Sequence, residues 1–146
     1  MLPKTLVVDA NVFIAATLAD SGTRKALLKA IGIQLLTPEF TKIELRKYMG
    51  EIATRLKTQK AAVAKKMEDI FEAAKIVEIP KNEYAQYAEE AHKLSPDPND
   101  VPYMALALAK QCPLWSQDKA LKRQSKIVVL DTAEIIATLK TAGKVI

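Results

Sequence analysis

Carboxylates stand at the ends of apolar runs in this sequence, which is where catalytic groups of α/β proteins are commonly placed. Asp9 directly follows the apolar run 6–8, and Asp118 comes two residues after the run 114–116. Asp100 closes a turn-rich loop just before an apolar helical segment. In open parallel sheets, ligands bind at the carboxyl ends of the strands, near the point where the strand order reverses. We therefore expect these three side chains to meet at one edge of a sheet.

A fourth carboxylate, Glu44, falls within a helical pattern that follows a short apolar run. At about 100° per residue, Phe40, Ile43 and Tyr48 share an arc of the helix with Glu44. A carboxylate on an apolar face is costly to bury unless it is paired with a cation or binds a metal. An ion pair with Arg46 or Lys47 would be an ordinary structural explanation.

The four acids together have the chemistry of a site for a hard divalent cation. The chain has one cysteine and one histidine, which excludes a zinc site of the usual Cys/His type. Carboxylate oxygens are the ligands that Mg²⁺ and Mn²⁺ prefer. Several ionised carboxylates in one pocket repel each other, so a cation would be part of the site.

Each acid taken alone also has a purely structural interpretation. Asp9 could be a solvated residue at the end of a strand or the N-cap of the next helix, and Asp100 could cap the helix that begins at Val101. Asp118 could cap a short helix, and Asp97, which lies between two prolines, has the features of a turn residue.

The elements that must position these residues alternate between strands and helices. The patterns predict strands at 5–8, 34–37, 75–79, 113–116 and 126–130, and helices at about 12–19, 23–31, 38–48, 60–74, 82–94, 101–110 and 132–141. Thr37 and Pro38 resemble a helix N-cap and first helical residue, and Gly50 is expected to separate two helices. The pattern predicts an α/β/α sandwich with a central, mainly parallel, twisted sheet of about five strands.

Composition fits one ordinary globular domain that spans residues 1–146. The chain is 49% hydrophobic and 27% charged, which excludes disorder as its main state. No apolar run approaches the ~20 residues that a membrane helix needs, and the N-terminus lacks the layout of a signal peptide. We expect a cytoplasmic protein with no membrane partner.

Four segments resemble the PIN-domain family in their order and spacing. They are residues 6–14 (LVVDANVFI), 38–45 (PEFTKIEL), 97–109 (DPNDVPYMALALA) and 114–121 (LWSQDKAL). The first and third segments together are quite specific, and the four are distributed along most of the chain, from residue 6 to residue 121. The resemblance implies a PIN-like fold and a Mg²⁺- or Mn²⁺-dependent nuclease, usually one that acts on RNA.

The resemblance also implies roles for individual residues. Asp9, Glu44, Asp100 and Asp118 match the four acidic positions that would be catalytic and hold the metal. Asn11 and Ser116 match polar positions that would orient the ligands or waters. Asp97 is a possible auxiliary acid. Many members carry a further aspartate where this chain has Ala120, so the number of metal ions, one or two, stays open.

Many small PIN proteins are the toxin of a toxin–antitoxin pair (the VapC-like group), and they often form homodimers. The resemblance therefore implies a small antitoxin protein as a partner, besides single-stranded or structured RNA. The expected reaction is attack of a metal-activated water on a phosphodiester, without a covalent nucleophile.

Local charge indicates where an RNA substrate would lie. The net charge is +5, but residues 42–66 alone carry eight basic and two acidic side chains, and residues 118–126 carry four and one. These segments adjoin Glu44 and Asp118, so we expect Arg46, Lys47, Lys119 and Lys122 to contact the phosphate backbone. A merely solvated helix face is the ordinary alternative.

The sequence also allows two other functions. A haloacid-dehalogenase-like phosphohydrolase also begins with a strand that ends in Asp-x-Asp, but this chain has Asn11 at the second position. A catalytically weak or silent PIN-like protein that binds RNA or acts as a scaffold would keep the fold without turnover.

Overall fold

The fold is built on one sheet of five parallel strands, in the order β3-β2-β1-β4-β5. The computed structural model describes residues 2–30, 32–95 and 97–143. The strands are β1 (Thr5–Val8), β2 (Gln34–Pro38), β3 (Val77–Ile79), β4 (Leu114–Trp115) and β5 (Val129–Leu130). All four pairings between neighbouring strands are parallel. The prediction of a parallel sheet with about five strands is confirmed.

Helices surround this sheet in two packed groups. The helices are α1 (Ala10–Leu18), α2 (Gly22–Lys29), α3 (Phe40–Arg46), α4 (Met49–Arg55), α5 (Lys60–Ala73), α6 (Ala88–Leu94), α7 (Val101–Lys110) and α8 (Thr132–Thr141). Helix α1 packs against α2, α3, α4 and α5, and α2 packs against α8, whereas α6 packs on α7. Helix α7 in turn lies against β1 and β2.

Both faces of the central strand are covered. Leu6, Val7 and Val8 are each 0% exposed. Successive side chains of a strand point to opposite faces, so a fully buried run needs packing on both sides of the sheet. Leu114 and Trp115 of β4 are also 0% exposed. The layered α/β/α arrangement predicted from the sequence is confirmed.

The strand order places a reversal beside β1. After β1 the chain adds β2 and β3 on one side and then β4 and β5 on the other. The reversal therefore lies between β1 and β4, which pair through Val7 with Leu114 and Val8 with Trp115. The carboxyl ends of these two strands open into the crevice where such folds bind ligands.

The helix start predicted at Thr37 and Pro38 is wrong. Pro38 is the last residue of β2 and is in register with Ile79, and helix α3 begins at Phe40. The Thr37 hydroxyl donates to the carbonyl of Val8 at 2.9 Å and does not cap a helix. A contact with the neighbouring strand, which local sequence does not reveal, decides its role.

Gly50 does not separate two helices, because it lies inside α4. A Cβ atom at this position would lie 3.1 Å from Cε of Lys60, which is at the flexible end of that exposed side chain. The predicted helix 82–94 is also divided. It consists of 3₁₀ turns at Lys81–Glu83 and Ala85–Tyr87, followed by α6. Tyr84 separates the two turns in a non-helical conformation, with φ −132°.

None of the helices that the structure describes is both long enough and apolar enough to cross a membrane.

Candidate active site

The four predicted acids lie close enough together to influence one another. Asp9 follows β1, Asp118 follows β4, Glu44 is in α3 after β2, and Asp100 immediately precedes α7. The negative charges of Asp100 and Glu44 both raise the pKa of Asp9. The charges of Asp118 and Glu44 likewise raise the pKa of Asp100. The structure thus gathers these acids at the carboxyl edge of the sheet.

Asp9 is the most deeply placed of them, with 6% of its surface exposed. Burial, followed by repulsion from its acidic neighbours, raises its pKa from 3.8 to about 7, although a hydrogen bond from Ser116 opposes the shift. Asp9 occupies the N-cap position of α1, but its side chain makes no capping hydrogen bond. Its carboxylate therefore faces the acidic cluster and does not cap the helix.

Asn11 and Ser116 hold the Asp9 carboxylate from two sides. The Ser116 hydroxyl donates to Oδ2 of Asp9 at 2.7 Å, and Nδ2 of Asn11 approaches the same oxygen at 3.2 Å. Asn11 also accepts from the backbone N–H of Gln117, and Ser116 Oγ accepts from the N–H of Asp118. These bonds connect the end of β1 to the loop after β4, and both side chains contact the Asp9 carboxylate.

Asp100 and Asp118 are partly exposed, and they differ in their contacts. Asp100 does not cap α7, and its Oδ2 accepts a hydrogen bond from the hydroxyl of Ser95 at 2.9 Å. Burial is the main cause that raises its pKa. Asp118 caps the 3₁₀ turn Lys119–Arg123, because its Oδ1 accepts from the N–H of Ala120 at 3.0 Å. Asp118 thus caps a short helix, as one of its two interpretations expected, and this role uses only one of its two carboxylate oxygens.

Asp97 has the contacts of a turn residue. It is exposed, and its Oδ1 accepts from the N–H of Asn99 at 3.0 Å. Its charge still raises the pKa of Asp100, so it lies at the rim of the acidic cluster.

Glu44 is 8% exposed, as its predicted burial requires, but its surroundings differ from the prediction. Ile43 is 56% exposed and Tyr48 is 38% exposed, so the apolar arc expected around Glu44 does not form. No ion pair with Arg46 or Lys47 is present within the described ranges. The partner of Glu44 is instead the hydroxyl of Tyr103, which donates to Oε1 at 2.5 Å.

Sequence reasoning missed Tyr103 as part of the site because tyrosine in an apolar helix is usually a core residue. The available signal was its position in α7, three residues after Asp100, since residues at this spacing share a helix face. The contact joins residues that are 59 positions apart, and no local pattern reveals it. Gln117, which holds Asn11 from 106 positions away, was missed for the same reason. Ser95, which holds Asp100, lies only five residues before it and was taken as part of the turn-rich loop.

The acids fit a divalent cation in donor type and charge. Among the residues that the structure describes, no lysine or arginine forms an ion pair with any of the four. In the same part of the chain, no three acidic, histidine or cysteine side chains are arranged so that they could hold a metal ion. Mutual repulsion opposes such an arrangement, and a cation would offset that repulsion. The donor set therefore fits the ion, but its described arrangement does not by itself form a metal site.

The four predicted substrate-binding cations divide into two kinds. Arg46, Lys47 and Lys119 are exposed, and none of them pairs with an acid elsewhere in residues 2–30, 32–95 and 97–143. The Lys122 ammonium contacts Asp131 at 2.9 Å and also contacts Glu134. Its charge is thus already shared with two carboxylates.

Comparisons with known proteins agree with this architecture. A family model described as PIN domain matches residues 7–140. PAE2754 from Pyrobaculum aerophilum is similar in structure, with a TM-score of 0.67, 20% identity, and coverage of 94% of this chain and 90% of that one. VapBC2 from Rickettsia felis, solved bound to a DNA fragment from their promoter, gives a TM-score of 0.69 at 15% identity and covers 87% and 98%. Among curated proteins, no significant match to the sequence is found.

The raised pKa of Asp9 predicts that the metal-free protein loses stability as the pH rises. Folded Asp9 holds its proton up to about pH 7, whereas the unfolded residue releases it near 3.8, so the free energy of unfolding falls between these values. Asp9→Asn removes this dependence. Its stability relative to wild type should therefore increase by roughly 3 kcal/mol from pH 5 to pH 8, at about 1.4 kcal/mol per pKa unit. Urea unfolding in the presence of a chelator measures this difference.

Asp20→Asn is the matched control, because Asp20 is exposed and lies outside the cluster. Its stability difference from wild type should not change over the same pH range. If the difference in free energy of unfolding between Asp9→Asn and wild type also stayed constant with pH, burial would not raise the pKa of Asp9.

Proposed function

The chain belongs to the PIN-domain family, and from this premise we propose that it is a Mg²⁺- or Mn²⁺-dependent endoribonuclease that hydrolyses RNA phosphodiesters. PIN domains are generally nucleases, and they typically use divalent metals. The proposal extends this to the present chain, with residues 1–146 acting as one nuclease domain.

The main support for this function is a group of acids whose negative charge no described basic side chain balances. Asp9, Glu44, Asp100 and Asp118 come together, and no basic side chain of the described residues pairs with them. An RNA phosphate that approached these acids alone would be repelled. A phosphodiester can therefore reach them only together with a cation, which is the requirement of a metal-dependent nuclease.

The residues that would hold the metal are Asp9, Asp100 and Asp118, together with Glu44. When bound, a divalent ion supplies a Lewis acid that offsets the phosphate charge and makes water a stronger nucleophile at neutral pH. The four acids are the catalytic residues of this proposal. No serine, cysteine or threonine is assigned as a covalent nucleophile.

The chain's own contribution is to orient these acids before the substrate arrives. Ser116 and Asn11 direct the carboxylate of Asp9, and Ser95 directs that of Asp100. Such supporting hydrogen bonds fix the orientation of ligands, and their loss typically reduces metal affinity or activity by about 10- to 100-fold. Asp97, at the rim, is left as an auxiliary acid whose charge acts on Asp100.

We assign the path of the RNA backbone to the basic surface beside Glu44 and Asp118. Within residues 42–66, Lys42 pairs with Glu78 and Lys65 pairs with Asp69. The other six basic residues of that segment form no ion pair within the described residues: Arg46, Lys47, Arg55, Lys57, Lys60 and Lys66. Uncompensated charges of this kind attract phosphates and release counterions. We add Lys119, which is exposed beside Asp118 in sequence, but we leave Lys122 out because it already contacts two acids.

The biological role that we propose is that of the toxin in a toxin–antitoxin pair. The similarity in fold to the chain in the structure of VapBC2 from Rickettsia felis supports it. With this role go a small antitoxin protein as a partner, a homodimeric state and a cytoplasmic location. A short antitoxin-like reading frame next to the gene would support the toxin role over that of a housekeeping nuclease.

The remaining alternative is a PIN-like protein that binds RNA or acts as a scaffold without turnover. The complete set of four acids and the hydrogen bonds that orient them favour the nuclease. A haloacid-dehalogenase-like phosphohydrolase loses support, since the PIN-domain model matches residues 7–140.

The protein should cleave a labelled single-stranded RNA when Mg²⁺ or Mn²⁺ is present, and a chelator should abolish the cleavage. Asp9→Asn and Asp118→Asn should each lower the rate by about 100-fold or more, because each removes a charge from a preorganised electrostatic site. Gel-based time courses at saturating metal measure the rates.

Asp20→Asn provides the control and should cleave like wild type, because this exposed acid lies outside the site. Cleavage that persists with chelator and in Asp9→Asn would contradict the metal-dependent mechanism. Metal-independent binding of RNA without cleavage would favour the silent scaffold. Hydrolysis of small phosphomonoesters without RNA cleavage would favour a phosphohydrolase.

The basic surface should be visible in the salt dependence of RNA binding. In an Asp9→Asn background, Arg46→Ala with Lys47→Ala should lower the slope of log Kd against log salt by roughly 1 to 1.5, since each phosphate contact on a single strand contributes about 0.7. Filter binding over a series of salt concentrations measures the slope.

Lys110→Ala with Lys126→Ala removes the same charge, but these residues pair with Glu83 and Glu90. This control should leave the slope nearly unchanged. Equal effects of the two double variants would mean that only net charge matters and that no defined phosphate path exists.

A further inference from the structure

Tyr103 is a buried polar residue at the centre of the proposed site. It is 1% exposed, and its hydroxyl donates to Oε1 of Glu44 at 2.5 Å. Within the described part of the chain, Glu44 has no other side-chain hydrogen bond and no ion pair. The Tyr103 hydroxyl is thus the described protein group that fixes this carboxylate.

A contact with a second aromatic ring restrains the phenol. Phe40 packs edge-on against the ring, with the ring centroids 6.4 Å apart, and this contact limits how the ring can turn.

A second set of hydroxyls fixes the helix that carries Glu44. Thr37 donates its proton to the carbonyl of Val8 at 2.9 Å, so the 2.7 Å contact between Thr37 and Thr41 must have Thr41 as its donor. Both threonines are 0% exposed. This chain connects α3 to the residue before Asp9, so buried hydroxyls hold the helix as well as the side chain of Glu44.

The two oxygens of Glu44 are consequently unequal. Tyr103 occupies Oε1. Oε2 has no hydrogen-bond partner in the described residues, where the only fully buried side-chain atom without a partner is Oγ of Ser21. Oε2 therefore contacts solvent. One oxygen of Glu44 is held by a protein hydroxyl, and the other has no hydrogen-bond partner among the described residues.

We infer that Tyr103 is a positioning residue for the proposed reaction: its hydroxyl holds Oε1 of Glu44 and leaves Oε2 as the oxygen offered to the site. This inference rests on the proposed function, since it assigns how one of the four acids is oriented.

A double-mutant cycle on Mn²⁺ binding tests whether Tyr103 acts through Glu44. Tyr103→Phe removes only the hydroxyl, and it should weaken Mn²⁺ binding by about 10-fold, as expected for a residue that orients a ligand. In a Glu44→Ala background the same change should weaken binding by less than about 2-fold, because coupled residues are not additive. Titration calorimetry or Mn²⁺ electron paramagnetic resonance gives both affinities.

Glu44→Gln is a second variant, which tests the inference even if Tyr103→Phe does not fold. Its amide oxygen can still accept the hydrogen bond of Tyr103, which places the NH₂ group where Oε2 was. If Glu44 acts through Oε2, Glu44→Gln should weaken Mn²⁺ binding as much as Glu44→Ala. Mn²⁺ affinity close to wild type in Glu44→Gln would overturn the inference.

Tyr84→Phe is the matched control, because Tyr84 is also buried, at 5% exposed, and has no part in the acidic cluster. It should leave both Mn²⁺ affinity and cleavage unchanged. In RNA cleavage at saturating metal, Tyr103→Phe should lower kcat by about 10-fold and leave KM unchanged, because the basic surface is intact. Thermal unfolding of each variant identifies any loss of folded protein.

These experiments distinguish the role of Tyr103 from the proposed nuclease activity. Coupled Mn²⁺ binding without RNA cleavage would support the role of Tyr103 and contradict the proposed nuclease activity. RNA cleavage with equal effects of Tyr103→Phe in both backgrounds would contradict only the role of Tyr103. A wild-type protein that binds no Mn²⁺ would overturn both.

Discussion

The burial of Asp9 among other carboxylates determines what the rest of the site must do, because burial and then repulsion raise its pKa. Asp9 is nearly inaccessible and lies beside Asp100 and Glu44, so it keeps its proton to about pH 7. A fold that gathers acids in this way loses stability unless something compensates it. Ser116, Asn11, Ser95 and Tyr103 each donate a hydrogen bond to one of them. These hydrogen bonds offset part of the loss of stability, and they leave the negative charge of the cluster able to attract a cation.

The topology of the sheet explains why the acids meet at all. Strand β1 lies at the centre, and the chain departs from it to both sides, so the ends of β1 and β4 open into one crevice. The core is fixed by fully buried side chains such as Leu6 and Trp115 on either side of that crevice. A rigid scaffold beneath a polar edge lets orienting hydrogen bonds keep their geometry before any ligand binds.

Local signals in the sequence were sufficient to predict the parallel sheet, helices α7 and α8, and the convergence of the acids. Helix α8 begins with a capping box of Asp131 and Glu134, and such signals act within a few residues. The roles of Pro38 and Tyr103 depend instead on contacts with distant parts of the chain. No pattern within one segment could reveal that Pro38 ends a strand, or that a core tyrosine donates to Glu44.

If the four acids bind a divalent cation, Mn²⁺ binding should release protons, because a carboxylate must lose its proton to bind the metal. Calorimetric titrations in buffers of different ionisation enthalpy count the released protons. About one proton should be released at pH 6, below the pKa of Asp9, and close to none at pH 8.5. A proton count that does not change with pH, or no binding of Mn²⁺, would contradict a metal site built on Asp9.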